Sequence, residues 1–159
     1  MCVVIMGGWE MEVKVQIVSP LLTADDLPQY ATQGSAGMDL RACLEAPRVV
    51  RPGEIVPVPT GLAIQLPRRD AVALVYARSG LAAKHGIALA NGVGVIDSDY
   101  TGEIVVPLHH FGSKEFVLQP KERIAQLVIA PIYVARLVAV DHLGPTARGA
   151  GGFGSTGRV

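Results

Sequence analysis

The sequence predicts an all-β domain, a jelly-roll-like barrel or sandwich with one short helix and a flexible Gly-rich C-terminal arm, and three observations carry that expectation. Half of the 159 residues are hydrophobic yet only 5% are aromatic, so the core must be filled by Val, Ile, Leu and Ala rather than by large rings. Glycine (18) and proline (11) interrupt the chain at short intervals. Between those interruptions the apolar runs are short and regularly spaced, the pattern of many strands rather than of alternating strands and helices. One domain is expected at this length, with enough chain for a proper core.

Taken in order, residues 1–10 read as an extension ending near Trp9. From Met11 the chain alternates, with Met11, Val13, Val15 and Ile17 against Glu12, Lys14 and Gln16, the period of a half-buried strand. Further strands are expected over 37–42, 55–58, 62–66, 72–76, 87–89, 93–96, 104–108, 116–118, 124–129 and 134–140. Turn signals at Pro52-Gly53, Thr60-Gly61, Pro67 and Pro120-Lys121 separate them. Only residues 79–86 break the pattern. Ser79 is placed as an N-cap, followed by good helix formers, Lys84 and His85 in the last turn and Gly86 at C′. The start of this helix has two readings: an ordinary capped end with a surface arginine, or a phosphate site made by free N–H groups, the Ser79 hydroxyl and the Arg78 guanidinium. The β domain is expected to run over 11–143, and the arm over 144–159.

Fourteen basic residues balance fourteen acidic ones, which leaves no global field to attract a nucleic-acid backbone or an anionic membrane; an anionic ligand must be caught locally. Neither a nucleic-acid nor a membrane partner is therefore expected. Cys2 and Cys43 form neither a metal-ligand spacing nor a disulfide framework, so a reducing cytoplasm is the simplest compartment. Residues 1–8 are too short for a signal h-region, and no run approaches the length that spans a bilayer.

Two segments invite chemistry. Between Asn91 and Glu103 an apolar strand ends in Asp97, Asp99 and Tyr100 amid glycines. This is either a tight hairpin with solvated acids or a cleft rim that holds Asp97 where a ligand approaches the backbone closely. The tail from Arg148 to Gly157 carries five glycines in ten residues together with Phe153, Ser155 and Thr156. It is either a flexible linker or a segment that orders over a nucleotide, with Arg on phosphate, Phe on a base and glycine amides on terminal oxygens.

In order, Ala36-Gly37-Met38-Asp39-Leu40-Arg41-Ala42, Arg78-Ser79-Gly80-Leu81 through Lys84-His85-Gly86, the segment from Asn91 to Gly102, Glu122-Arg123-Ile124-Ala125-Gln126-Leu127 and the Gly-rich tail resemble the five motifs of the trimeric dUTPases. The resemblance runs from about Met11 to Arg158. It implies a β jelly roll that assembles as a homotrimer with shared active sites, each closed by a C-terminal arm. The implied reaction is magnesium-assisted hydrolysis of dUTP to dUMP and pyrophosphate by attack of water on the α-phosphorus, which limits uracil in DNA and supplies dUMP for thymidylate synthesis.

The same resemblance implies the site. Asp97 matches the catalytic aspartate that orients and deprotonates the water. Asn91, the adjoining backbone, Val95, Ile96 and, on the return strand, Val105 match the uracil-reading elements, and Tyr100 the ring that packs on deoxyribose. Arg78, Ser79, Gly80 and Gln126 match phosphate ligands; Arg148, Gly154, Ser155 and Thr156 match the tail's terminal-phosphate contacts, and Phe153 the lid over the base. Asp39 matches the residue that holds magnesium through water, although read from the residues alone it is a turn or bulge acid. Arg123 is left as an ion-pair partner or a ligand.

Ala77 and Lys121 depart from the family pattern, which often has proline and glycine there, and neither removes a reacting group. The nearest enzymatic alternative is dCTP deaminase, whose catalytic glutamate lies ten residues beyond the shared aspartate. Here that position is Pro107, which has no acid or base to offer. An alternative of another class is a non-catalytic nucleotide-binding regulatory trimer, against which Asp97, Arg148 and Phe153 argue.

Overall fold

The computed structural model describes residues 11–152; the extension 1–10 and the tail residues Phe153, Gly154, Ser155 and Thr156 lie outside them. Ten strands are described: β1 (Lys14–Ile17), β2 (Met38–Arg41), β3 (Arg48–Val50), β4 (Ile55–Gln65), β5 (Ala71–Ala77), β6 (Ile87–Leu89), β7 (Gly94–Ile96), β8 (Glu103–His110), β9 (Phe116–Leu118) and β10 (Arg123–Pro131). A single α-helix, α1 (Ser79–His85), joins β5 to β6. Every strand pairing is antiparallel. Two four-stranded sheets, in the orders β1-β4-β8-β6 and β2-β10-β5-β7, form the body of the jelly roll, with β3 and β9 as a separate ribbon.

Strand alternation builds the core. In β8, Ile104, Val106, Leu108 and His110 are buried, and Val56 and Val58 of β4 join them; Leu40, Val75, Ala125 and Leu127 come from the other sheet. His110 is the buried polar side chain of this set. Its Nδ1 accepts the Gly112 N–H at 3.1 Å, so the hydrogen sits on Nε2, which meets the Lys114 carbonyl at 2.6 Å.

The strands expected over 55–58 and 62–66 are one strand with a bulge. Between Pro59 and Ala63 the register against β8 shifts, and Gly61 adopts φ +69. A Cβ there would stand 2.6 Å from Leu22 Cδ1 and 2.8 Å from Cys43 Sγ. The bulge is pinned by two bonds to β8: Gly61 N–H donates to Glu103 Oε1 at 2.7 Å, and the buried Thr60 hydroxyl to the Ile104 carbonyl at 2.7 Å. Lys121 also takes a left-handed conformation, φ +60, which explains why a glycine is common at that turn. Its Nζ bridges to Asp26 at 3.0 Å, and the Thr23 backbone N–H together with this ammonium holds the Asp26 carboxyl below its ordinary range.

Two expectations fail. The short β3 was not expected, because Val49 and Val50 between arginines are too brief a signal without β9 opposite them. The strand expected over 134–140 does not form: after β10 the described chain has no ladder, and Tyr133, Leu137 and Leu143 are almost wholly exposed. A strand needs an edge to pair with, and this apolar segment pairs with none among the described residues.

Candidate active site

The turn after β7 is not a tight hairpin. β7 pairs with β5, with Val75 opposite Gly94 and Ala73 opposite Ile96, while β8 pairs with β4 and β6. Residues 97–102 therefore cross from one sheet to the other, and β7 and β8 diverge rather than forming a common ladder. Between them lies a cavity of about 270 Å³ whose lining includes Asn91, Val95, Ile96, Asp97, Tyr100 and Val105. All six sequence-predicted residues of the base, sugar and water sites thus come together.

The walls are mostly apolar and the rim is not. Val95 and Val105 are 65% and 47% exposed, an apolar cost that a flat ligand face offsets. Gly92, φ +73, lets the chain turn tightly so that its N–H reaches the Leu89 carbonyl and Asn91 stands at the cavity mouth. Tyr100 folds back over the turn: its N–H donates to the Asp97 carbonyl at 3.2 Å and its hydroxyl to the Glu103 carbonyl at 2.9 Å. Asp97 is exposed and makes no side-chain hydrogen bond or ion pair among the described residues. Pro107 also lines this cavity, so no carboxylate stands at that point of the wall.

A second cavity, of about 240 Å³, is lined by Arg78, Ser79, Gly80 and Gln126, with Lys84 and His85 at the other end of α1. Arg78, not Ser79, is the N-cap: it keeps the extended backbone of β5 (φ −86, ψ 123), so the helix begins one residue earlier than expected and Ser79 caps nothing. The first helical bond runs from Ala82 N–H to the Arg78 carbonyl, which leaves the amides of Ser79, Gly80 and Leu81 without helical acceptors. Gly86 closes the helix in the left-handed conformation the sequence predicts.

Asp39 joins this group. It lies opposite Gln126, which lies opposite Tyr76, so the three share the outer face of the sheet. Its Oδ1 is 2.9 Å from Arg78 Nε and its Oδ2 is 3.1 Å from Arg123 Nη1. Arg78 Nη1 also donates to the Arg123 carbonyl at 3.3 Å. Arg123 was left ambiguous by the sequence; its partner is 84 residues away, and only the β2–β10 register brings them together. With two guanidiniums on one carboxylate, the cluster carries a net positive charge suited to phosphate.

The two cavities share no residue: the first lies along β7, β8 and the turn between them, the second at the start of α1 beside Gln126 of β10. The structure does not bring Asp97 to Arg78 within one chain. Arg148 is near neither cavity; it closes its own turn, donating from Nε to the Gly151 carbonyl at 2.8 Å.

A family model described as dUTPase matches residues 24–157. A deoxyuridine 5'-triphosphate nucleotidohydrolase of Desulfitobacterium hafniense is 56% identical over 134 residues, covering 84% of this chain and 89% of that protein. Its counterpart in Burkholderia pseudomallei is 58% identical over 134 residues, covering 84% and 90%. Among solved structures, a variant dUTPase of Staphylococcus bacteriophage 80alpha with dUpNHpp superposes with a TM-score of 0.78 at 24% identity, covering 92% of this chain and 98% of that one. A variant dUTPase from phage phi11 of S. aureus, described with a structural Mg(II) ion, gives 0.73 at 20% identity, covering 84% and 99%. At those identities the structural likeness is one of fold.

Proposed function

This chain belongs to the dUTPase family, and from that premise we propose that it hydrolyses dUTP to dUMP and pyrophosphate by magnesium-assisted attack of water on the α-phosphorus. The observation that carries this reading is the cavity between β7 and β8, an apolar slot with Asp97 and Tyr100 on its rim. Because the two strands belong to different sheets, their facing backbone edges are free to hydrogen-bond a base instead of each other. With the Asn91 amide they match the alternating acceptors and imide donor of uracil, while Val95, Ile96 and Val105 wall the ring. A 5-methyl group meets that wall, which disfavours thymine.

Tyr100 packs on the deoxyribose and fills the space of a 2′-hydroxyl. Asp97, exposed and unengaged by its own chain's described residues, is placed to accept a proton from the attacking water. Arg78, Gln126, the Ser79 hydroxyl and the Ser79 and Gly80 amides receive the phosphates, and positioning with charge neutralisation supplies most of such catalysis.

Asp39 fits a magnesium role in one way only. Both oxygens face arginines, yet Oδ1 lies 2.9 Å from Arg78 Nε without a well-aimed hydrogen bond and remains a buried, unsatisfied acceptor. A metal-bound water is a strong donor to such an atom, so Asp39 would hold magnesium through its water shell, with the phosphates as direct ligands. When bound, the metal neutralises charge that develops on the leaving pyrophosphate.

That the two cavities share no residue within one copy supports a homotrimer with shared sites, in which the base slot of one copy meets the phosphate cradle of another. The exposed apolar chain after Pro131 supplies a surface for such packing. Arg148, Phe153, Gly154, Ser155 and Thr156 then close the site as an arm over terminal phosphate and base. Pro107 in the slot disfavours the deaminase alternative. The free thiol of Cys43 and the absence, among the described residues, of a helix able to cross a membrane accord with the cytoplasm.

The test is pyrophosphate release with magnesium from dUTP, dTTP, dCTP and UTP. Release is expected with dUTP and much more weakly with the other three; equal rates on all four reject the reading.

A further inference from the structure

We propose that Gly102 is a positioning residue for sugar selectivity: it keeps open the space that the Tyr100 ring occupies when it lies over the turn. The inference deepens the reading above and rests on the assignment of Tyr100 to the deoxyribose. A Cβ built on Gly102 stands 2.5 Å from Tyr100 Oη, 2.7 Å from Cζ and 3.1 Å from Cε2. Real Cβ atoms do not approach that closely, so any side chain at position 102 displaces the ring. The backbone does not require glycine here, because Gly102 is not among the glycines with positive φ. It is the position of the ring that requires it.

The direction of the displacement follows from the surroundings. Tyr100 is 47% exposed, and its tip is held by one hydrogen bond, from the hydroxyl to the Glu103 carbonyl at 2.9 Å. A methyl group at 102 pushes the tip out toward solvent and breaks that bond, while the buried residues on either side, Ile96 and Ile104, are untouched. The fold loses little, and the sugar subsite loses the wall that excludes a 2′-hydroxyl. By contrast, a Cβ at Gly92 meets nothing within 4 Å, so the glycines of this segment serve different ends.

The experiment compares kcat/KM for dUTP and UTP in the unmodified protein, Tyr100→Ala, Gly102→Ala and the double variant. Gly102→Ala is expected to lower the dUTP-over-UTP ratio by about tenfold or more while melting within a few degrees of the parent, and the double variant to match Tyr100→Ala alone, since the methyl acts only through the ring. An unchanged ratio in Gly102→Ala, with a lowered one in Tyr100→Ala, overturns the role of Gly102 and leaves the sugar assignment standing. An unchanged ratio in Tyr100→Ala removes the sugar assignment and this inference with it. Loss of folding in Gly102→Ala, or a further drop in the double variant below Tyr100→Ala, places Gly102 in another role and equally overturns it.

Discussion

Asp39 carries more of this molecule's chemistry than its place in a short strand suggests. One carboxylate holds two guanidiniums, and through them it fixes the shape of the cluster proposed to receive phosphate. Arg78 is paired with the carboxylate, its Nε 2.9 Å from Oδ1, and its Nη1 donates to the Arg123 carbonyl, so the side chain is already ordered and would lose less entropy on binding an anion. Removing the Arg123 side chain leaves that carbonyl in place but frees Asp39 Oδ2 and removes one positive charge. Arg123→Ala is therefore expected to raise KM for dUTP about tenfold, with Arg123→Lys recovering part of the loss, as steady-state kinetics can check. The motif around Glu122 and Arg123 was legible in the sequence, but its meaning was not. An ion pair between residues 84 positions apart depends on strand register, which no local pattern states.

Among the elements, β4 shows what turn signals can and cannot say. Thr60-Gly61 reads as a break between two strands, and the break is real, yet the chain continues in the same sheet as a bulged strand. The bulge places Thr60 and Gly61 against β8, where Glu103, at the start of the strand that walls the base slot, accepts the Gly61 N–H. Gly61→Ala faces both a left-handed backbone and a close approach to Leu22 and Cys43. Its cost is expected to be about 2–4 kcal/mol, read as a lowered denaturation midpoint without a change of slope. The helix behaved in the opposite way: α1 and its Gly86 terminus were legible almost to the residue, because capping and C′ chemistry are local. The strand expected over 134–140 failed for the complementary reason. Its apolar pattern calls for a partner, and the pattern does not say that none stands opposite it among the described residues.

At the scale of the whole molecule, the cavity that holds Asp97 and the cavity at the start of α1 share no residue. In the proposed reading a triphosphate nucleotide engages both by bridging two copies, and catalysis is then a property of the assembly. Asp97→Asn and Arg78→Ala are each expected to be nearly inactive alone. Mixed trimers formed by unfolding and refolding the two together are expected to recover a measurable share of parental dUTP turnover, since some sites then combine an intact slot with an intact cradle. If both half-sites belonged to one chain, no mixture would contain a whole site and activity would stay at the level of the single variants.

By itself the sequence determined the all-β class, the helix after β5 and the family, because period-two alternation, turn residues and motif composition are local and each is written in a few consecutive positions. Tertiary structure decided how those residues are shared out. It sent β7 and β8 to different sheets, and so turned an apparent hairpin into an open slot with Asp97 on its edge. It also set Asp39 opposite Gln126 and between Arg78 and Arg123. The physical reason is that backbone hydrogen bonds pair strands across long sequence separations, and a register set there chooses which face every side chain takes.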